Sequence, residues 1–312
     1  MEKNQNIPLV SIALATYNGE KYLQQQIDSL LAQTYQNIEI VISDDGSNDN
    51  TLKIIEDYCY KNKNIFLFKN TISTGVNKNF EHAIKNCKGD FIALCDQDDY
   101  WLPEKIALLV NNIGDNTLIY HNSLFIDSEG NSMNRTIADK MNCYSGTDSK
   151  SFLLFNCVSG HVCMFKKALL QTALPFPEIK FFDWWLAFMA TQNTGIKYLP
   201  ENLVHYRQHN ASVTDMLALK ETTTHKKEFT IYTQELNWFK SCAKFAVNEK
   251  LFFEHWFALY KKRENQWFSI SLFLLALKNT NSLYVLKKKN GLSKFFECLK
   301  LLWGLKLKKL IG

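Results

Sequence analysis

The chain is poor in the residues that interrupt regular structure: only 12 of its 312 residues are glycine and 5 are proline. No internal repeat and no low-complexity tract beyond the lysine clusters is present, and a hydrophobic content of 46% excludes disorder. The eight cysteines include no C-x-x-C pair and no metal-like spacing, which excludes zinc ribbons and thioredoxin-type redox sites. Several lie inside apolar runs, so reduced, buried thiols are expected rather than disulfides, as in a cytosolic protein. No apolar run is long: WFSISLFLLAL, from Trp267 to Leu277, is about half of what a membrane-spanning helix needs. No transmembrane segment is expected. The opening MEKNQNIPLVSIALA lacks the layout of a signal peptide and reads as a first strand. A dinucleotide oxidoreductase is disfavoured, because no G-x-G-x-x-G loop is present.

What is present divides the chain in two. Residues 1–216 carry 18 Lys/Arg against 24 Asp/Glu, whereas residues 217–312 carry 18 against 7. A basic region of this kind could meet nucleic acid, a membrane surface or water. Its closing segment, LSKFFECLKLLWGLKLKKLIG (residues 292–312), interleaves lysine with Leu, Phe and Trp at helical intervals. That is the pattern of a helix lying in a membrane interface, and the bulky aliphatics disfavour nucleic acid. For residues 217–280 a packed helical subdomain accounts for the pattern equally well.

From Leu9 to about Asp127, short β-branched runs (LVSIALA, IEIVISD, IFLFKN, DFIALCD) alternate with segments of helical length near residues 20–33, 49–61, 76–87 and 103–113. Strand and helix in turn predict a mostly parallel, doubly wound α/β sheet, whose ligands sit at the carboxyl ends of the strands. Three such ends are polar: ATYNGE, DDGSNDNT and DQDD. Residues 128–160 are expected to form loops and short strands. HVCMFKKALL reads as a strand into a helix, KFFDWWLAFMAT as a helix and IKYLPENLVHYRQHN as a hairpin-like pair.

In DDGSNDNT, helix capping accounts for Ser47 and Asp49. Asp44 and Asp45 exceed what one cap needs, and an acid there could accept the ring N–H of uracil or thymine. An EF-hand starting at Asp45 fails, since Asn50 stands where glycine is required. In DQDD a calcium loop fails because Tyr100 and Trp101 occupy a ligand and a glycine position. A phosphatase-type nucleophile fails because Asp99 replaces the expected Thr or Val. A solvated turn or a hard-cation site remains, and carboxylates with phosphate oxygens suit Mg2+ or Mn2+ on a diphosphate.

ATYNGEKYLQQQIDSLLAQTYQNIEIVISDDGSNDNT, GVNKNFEHAI and GDFIALCDQDDYWLPEKI, in this order, closely resemble the family 2 glycosyltransferases, which have the GT-A fold. FFDWWLAFMA and YRQHNASVT resemble the bacterial rhamnosyltransferase-like branch. The resemblance implies a Rossmann-like catalytic domain over 1–216, and the basic, helical pattern sets apart 217–312 as a membrane-interface or oligomerisation region. It implies that Thr16, Tyr17 and Glu20 border the nucleotide, Asp45 reads the pyrimidine, Asp96 touches the ribose and Asn79 lies nearby. Asp98 is implied to bind the metal, with His209 reaching metal or diphosphate and Arg207 the diphosphate. Gln97 stands where the family has a small residue. Asp183 matches the general base, although Phe182 replaces the first acid of the usual pair; Trp184 and Trp185 beside it suit either core or sugar stacking. SGHVCMF resembles the segment lining the acceptor pocket, with Gly160 and His161 facing it. The implied activity is inverting, metal-dependent transfer from a dTDP- or UDP-sugar, dTDP-rhamnose first, to a glycan or lipid-linked acceptor in bacterial surface polysaccharide synthesis. The implied place is the cytoplasmic face of the plasma membrane, with no nucleic acid partner. A non-catalytic sugar-nucleotide-binding protein of the same fold and a metal-dependent phosphohydrolase are the rivals.

Overall fold

The computed structural model describes residues 7–178, 181–209 and 227–306. Its first half alternates β1 (Val10–Thr16), α1 (Leu23–Leu31), β2 (Ile38–Asp44), α2 (Thr51–Lys61), β3 (Ile65–Lys69), α3 (Val76–Asn86) and β4 (Phe91–Cys95); then come β5 (Tyr100–Trp101) and α4 (Lys105–Asn112). Strands β1 to β4 pair in parallel, as the alternation predicts. Successive side chains leave a strand on opposite faces, and both faces are covered. Val10, Ile12, Leu14, Ile40 and Ile42 pack with Leu23 and Ile27 of α1, Ile55 of α2 and Ile106 of α4. Ala13, Val41, Ile92 and Leu94 face the other way, toward Phe80 and Ile84 of α3.

The second half adds β6 (Leu118–Ile126), β7 (Ser132–Thr136), α5 (Ile137–Lys140), β8 (Cys163–Lys166), α6 (Leu170–Ala173), α7 (Phe182–Thr191) and β9 (Ile196–Arg207). One mixed sheet results, in the order β3-β2-β1-β4-β8-β6-β9-β5, with β7 on β6. β8 runs antiparallel to both β4 and β6, while β9 runs parallel to β6. Strand order reverses at β1, with β2 on one side and β4 on the other. That reversal opens a crevice at their carboxyl ends.

Two elements differ from the sequence reading. IKYLPENLVHYR is one strand rather than a hairpin-like pair. Its register against β6 shifts between Leu199 and Asn202, so Pro200 and Glu201 sit in an irregularity, where a residue without an N–H is tolerated. LIYHNSLFI is a central strand that the pattern concealed, because His121, Asn122 and Ser123 are polar and nevertheless buried.

Helix α7 is apolar on nearly every side and is enclosed, as such helices must be. The helices that follow are α8 (Lys227–Phe245), α9 (Lys250–Lys262), α10 (Ile270–Lys278), α11 (Thr280–Leu283) and α12 (Gly291–Lys300), of which α8 and α9 close over it. The Trp184 and Trp238 rings lie 4.8 Å apart, Phe188 meets Phe253 at 5.3 Å, and Trp238 Nε1 donates to the Leu153 carbonyl at 2.8 Å. The described part of the basic region thus shares a core with the sheet. The expected boundary at 216/217 lies outside the described residues. No described helix is long and apolar enough to cross a membrane, and all eight cysteines are free.

Candidate functional site

A cavity of about 1330 Å³ opens at the carboxyl ends of β1, β2 and β4, where the switch in strand order places it. Thr16, Tyr17, Asp45, Asn79, Asp96, Asp98, Asp183 and His209 line it, together with His161 and Gly160. Eight of the ten predicted site residues therefore meet at one place.

Polar residues knit the loops after β1 and β2 together. Asp44 accepts hydrogen bonds from the Gly46 and Ser47 amides, from Ser47 Oγ at 2.6 Å and from Thr16 Oγ1 at 2.8 Å. It is a turn acid. Asp49 accepts from the amides of Thr51 and Glu20 and so ties the start of α2 to the loop after β1, but the N-cap position falls on Asn50, whose side chain makes no capping bond, and Ser47 serves the loops instead, accepting from the Asn18 amide. Asp45 reaches the cavity wall but serves another loop as well. Its carboxylate accepts from Asn70 Nδ2, Ser73 Oγ, Thr74 Oγ1 and the amides of Thr74 and Gly75, at 2.8–3.0 Å. Burial alone would raise its pKa, yet these bonds outweigh it and hold the carboxyl below its usual range. Asn79 donates to the Thr16 carbonyl at 3.1 Å and accepts from Asn70.

Two predicted contacts do not reach the cavity. Glu20 turns away, its carboxylate accepting from the Asn50 amide at 2.9 Å and from Asn50 Nδ2 at 2.7 Å at the start of α2. Arg207 is buried behind the wall. Its guanidinium donates to the carbonyls of Asp98 (2.8 Å), Asp127 and Ser128 (both 3.3 Å) and to Gln25 Oε1 at 2.7 Å, and lies 4.5 Å from the Tyr22 ring centroid. A guanidinium so fully engaged braces the acidic turn and has no donor fork left for a diphosphate.

Strand β5 clips the DQDD turn to the far end of the sheet, pairing Tyr100 with His205 and Trp101 with Val204. Within the turn, Gln97 closes onto the first loop: its Oε1 accepts from the Tyr17 amide at 2.8 Å and its Nε2 donates to the Tyr17 carbonyl at 3.0 Å. A Cβ on Gly19 would lie 2.3 Å from Gln97 Oε1, so the large residue between the acids and the glycine of TYNGE are matched. Asp98 Oδ2 meets His209 Nε2 at 2.7 Å. Asp99 is fully buried; one oxygen accepts from the Arg207 amide at 2.9 Å and the other has no hydrogen-bond partner among the described residues. Burial, then the charges of Asp98 and Asp96, holds Asp99 well above the usual carboxyl range. Burial, then Asp98 and Asp183, pushes Asp96 up to about 7.

Asp183 stands in the first turn of α7, opposite the acidic turn. Its Oδ2 accepts from the Gly160 amide at 3.1 Å and its Oδ1 from the Trp184 amide at 2.6 Å. Burial raises its pKa to about 6 against those two bonds. Trp184 also donates Nε1–H to the Phe152 carbonyl at 2.6 Å, and Trp185 is buried core. Gly160 begins a 3-10 turn, Gly160–Val162, that joins both sides of the cavity. His161 stacks on Tyr206 at 3.9 Å, and its Nδ1 lies 3.8 Å from Asp96 Oδ2. Burial, then the Lys105 charge, keeps the imidazole neutral. Lys105 supports the turn from below. It is fully buried, its Nζ donates to the His161 carbonyl at 2.6 Å and sits 3.2 Å from the Trp101 ring centroid, and burial lowers its pKa to about 7. PEKI reads as the start of a helix, and nothing local in it signals a buried lysine.

The donors fit a divalent cation. One ligand atom each from Asp96, Asp99 and His161 lies within 4.8 Å of the others; Asp98 and His209, the ligands the resemblance implies, fall outside that cluster and meet each other at 2.7 Å. Burial, then repulsion from neighbouring carboxylates, raises Asp96 and Asp99, and the orphaned Asp99 oxygen lacks a positive partner; a hard cation relieves both.

Comparison with known proteins bears on the family and the fold. The profile of Glycosyl transferase family 2 matches residues 11–173. An uncharacterized glycosyltransferase of Rickettsia typhi is 31% identical over 224 residues, 69% of either chain. The UDP-Glc:alpha-D-GlcNAc-diphosphoundecaprenol beta-1,3-glucosyltransferase of Escherichia coli is 29% identical over 66% of this chain and 80% of its own. Among solved structures, S. aureus TarS 1-349 with UDP-GlcNAc superposes with a TM-score of 0.58 at 17% identity, covering 88% of this chain and 81% of that one. The mannosyltransferase PcManGT of Pyrobaculum calidifontis, with GDP-Man and Mn2+, gives 0.54 at 16% identity, covering 95% and 75%.

Proposed function

Because the chain belongs to glycosyl transferase family 2 and has the GT-A fold, we propose that the crevice holds a nucleotide diphosphate sugar. Asp183 then takes the proton of an acceptor hydroxyl. The observation that carries this reading is the placement of Asp183 across one cavity from Asp96 and Asp98. A carboxylate with a pKa near 6 is largely ionised at neutral pH and still basic enough for general-base work. As the hydroxyl oxygen bonds to the anomeric carbon, the bond to the diphosphate breaks on the opposite side, so the centre inverts. The electron pair leaves with the diphosphate, and the hydroxyl proton ends on Asp183. Asp98 and His209, together with Asp96 and the unpartnered Asp99 oxygen of the neighbouring cluster, would hold Mg2+ or Mn2+, and the ion would supply charge neutralisation for the departing diphosphate. Thr16, Tyr17 and Asn79 border the nucleotide, and Asp45 lies where the base is read.

A dTDP- or UDP-sugar is the proposed donor, with dTDP-rhamnose the first to test. The E. coli relative uses UDP-Glc and a diphosphoundecaprenol-linked acceptor by its name, which supports a pyrimidine nucleotide and a lipid-linked acceptor; the inner face of the plasma membrane is the place we propose for the reaction. The test is calorimetric titration of UDP- and dTDP-sugars with Mn2+, followed by transfer assays on Asp183→Asn. Donor binding that survives in the variant while transfer is lost supports the reading; unimpaired transfer refutes it.

A further inference from the structure

The outer faces of α10 and α12 are apolar. On α10, Ile270, Leu274 and Leu277 fall on one stripe, with Trp267 and Phe268 just before it. On α12, Leu292, Phe295 and Phe296 fall on another, followed by Trp303, and all nine side chains are 38–68% exposed. The inward faces are satisfied, with Leu272, Ala276 and Cys298 buried. The two stripes form one plate: Phe273 meets Phe295 at 6.1 Å, Phe268 meets Trp303 at 5.7 Å, and the Ser269 amide donates to the Leu302 carbonyl at 2.7 Å. A contiguous exposed apolar surface of this kind marks an interaction site.

Charge selects the partner. Residues 267–306 hold seven lysines and a single acid, Glu297, which Lys289 and Lys300 already pair. Two copies joined by this face would bring like charges together, and interface cores are depleted in lysine. Apolar stripes flanked by tryptophan and lysine instead match a helix pair lying in the headgroup region of an anionic leaflet. The connection between α11 and α12, just ahead of the second stripe, packs against the cavity wall. Phe155, on the cavity wall beside Met141 and Leu154, lies 5.7 Å from Tyr284 and 4.2 Å from Lys287 Nζ. Asn142 donates to the carbonyls of Val285 and Lys287.

We infer that the α10–α12 plate is a monotopic docking surface for an anionic bilayer, which sets the apolar end of the cavity beside the leaflet. This deepens the proposed peripheral association, locating it in residues 267–303 as well as the last twenty. The experiment is co-sedimentation of the full chain with phosphatidylcholine vesicles, with and without phosphatidylglycerol. The variants are Leu274→Glu/Phe296→Glu and, independently, Ile270→Glu/Leu292→Glu. The chain should bind the anionic vesicles in a salt-sensitive manner, and each double variant should lower partitioning about tenfold or more while keeping the wild-type affinity for UDP with Mn2+. Partitioning unchanged in both variants, no vesicle binding by the wild type, or self-association that both variants abolish would overturn the inference. A wild-type chain that sediments with vesicles but binds no UDP or dTDP would leave the surface standing and remove the nucleotide-sugar reading alone.

Discussion

Asp183 illustrates how one residue's surroundings set its chemistry. Burial lifts its pKa to about 6, while amide hydrogen bonds from Trp184 and Gly160 oppose the rise. A carboxyl raised in the folded state binds its proton there more tightly than in the unfolded chain, so folding stability falls as pH climbs from the unfolded value toward 6. Asp183→Asn should therefore melt higher than the wild type at pH 8 and equally near pH 3. Its transfer rate should drop by roughly 10²–10⁴-fold, and the wild-type rate should rise with pH through a limb near 6. Arg207 makes a contrasting case. The loss of its buried hydrogen bonds in Arg207→Gln should cost about 2–4 kcal/mol in urea unfolding, and lysine should not rescue it, lacking the planar fork. Residue types at strand ends were legible in the sequence: DDGS and DQDD name acids that line or brace the cavity, while Asp183, in the first turn of α7, was reached through the family resemblance. What Arg207, Glu20 and Gln97 touch was not, because their partners lie between 30 and 182 residues away.

At the scale of elements, the acidic turn and the base are joined through the Gly160–Val162 turn. Lys105, at the start of α4, fixes that turn by its hydrogen bond to the His161 carbonyl. Lys105→Met keeps the volume and removes the donor. The expected outcome is a folded protein whose transfer falls by about tenfold or more, since small misplacements of reacting groups are costly. The limb of its pH profile should move upward, because a displaced Gly160 amide no longer holds the Asp183 pKa down. A normal profile with normal transfer would show that the turn does not depend on this lysine. The parallel elements β1 to β4 followed from periodicity, since their apolar runs are bounded by turn residues. β6 and β5 did not, one being a buried strand with three polar residues in its middle and the other only two residues long. Both take their place from long-range pairing with β9.

Across the whole molecule, the reversal of strand order at β1 and the enclosure of α7 bring the acids after β4 and the base on α7 to one cavity. The fold class was readable because alternation fixes a parallel sheet. The mixed half was not, since antiparallel β8 depends on which partner the chain returns to. The basic C-terminal region combines both readings of its sequence, with α8 and α9 sharing the core and α10 and α12 presenting apolar faces outward. The central claim is that Asp98 and His209 hold a cation on the donor's diphosphate while Asp183 faces the anomeric carbon. Anomalous diffraction from crystals grown with Mn2+ and UDP tests it most directly. The account expects a manganese peak at the acidic turn, beside Asp98 and His209 and within reach of Asp96 and Asp99, with the uracil toward Asp45 and the diphosphate's free end toward Asp183. Manganese and nucleotide bound outside the β1–β4 crevice, away from Asp98 and Asp183, would contradict it.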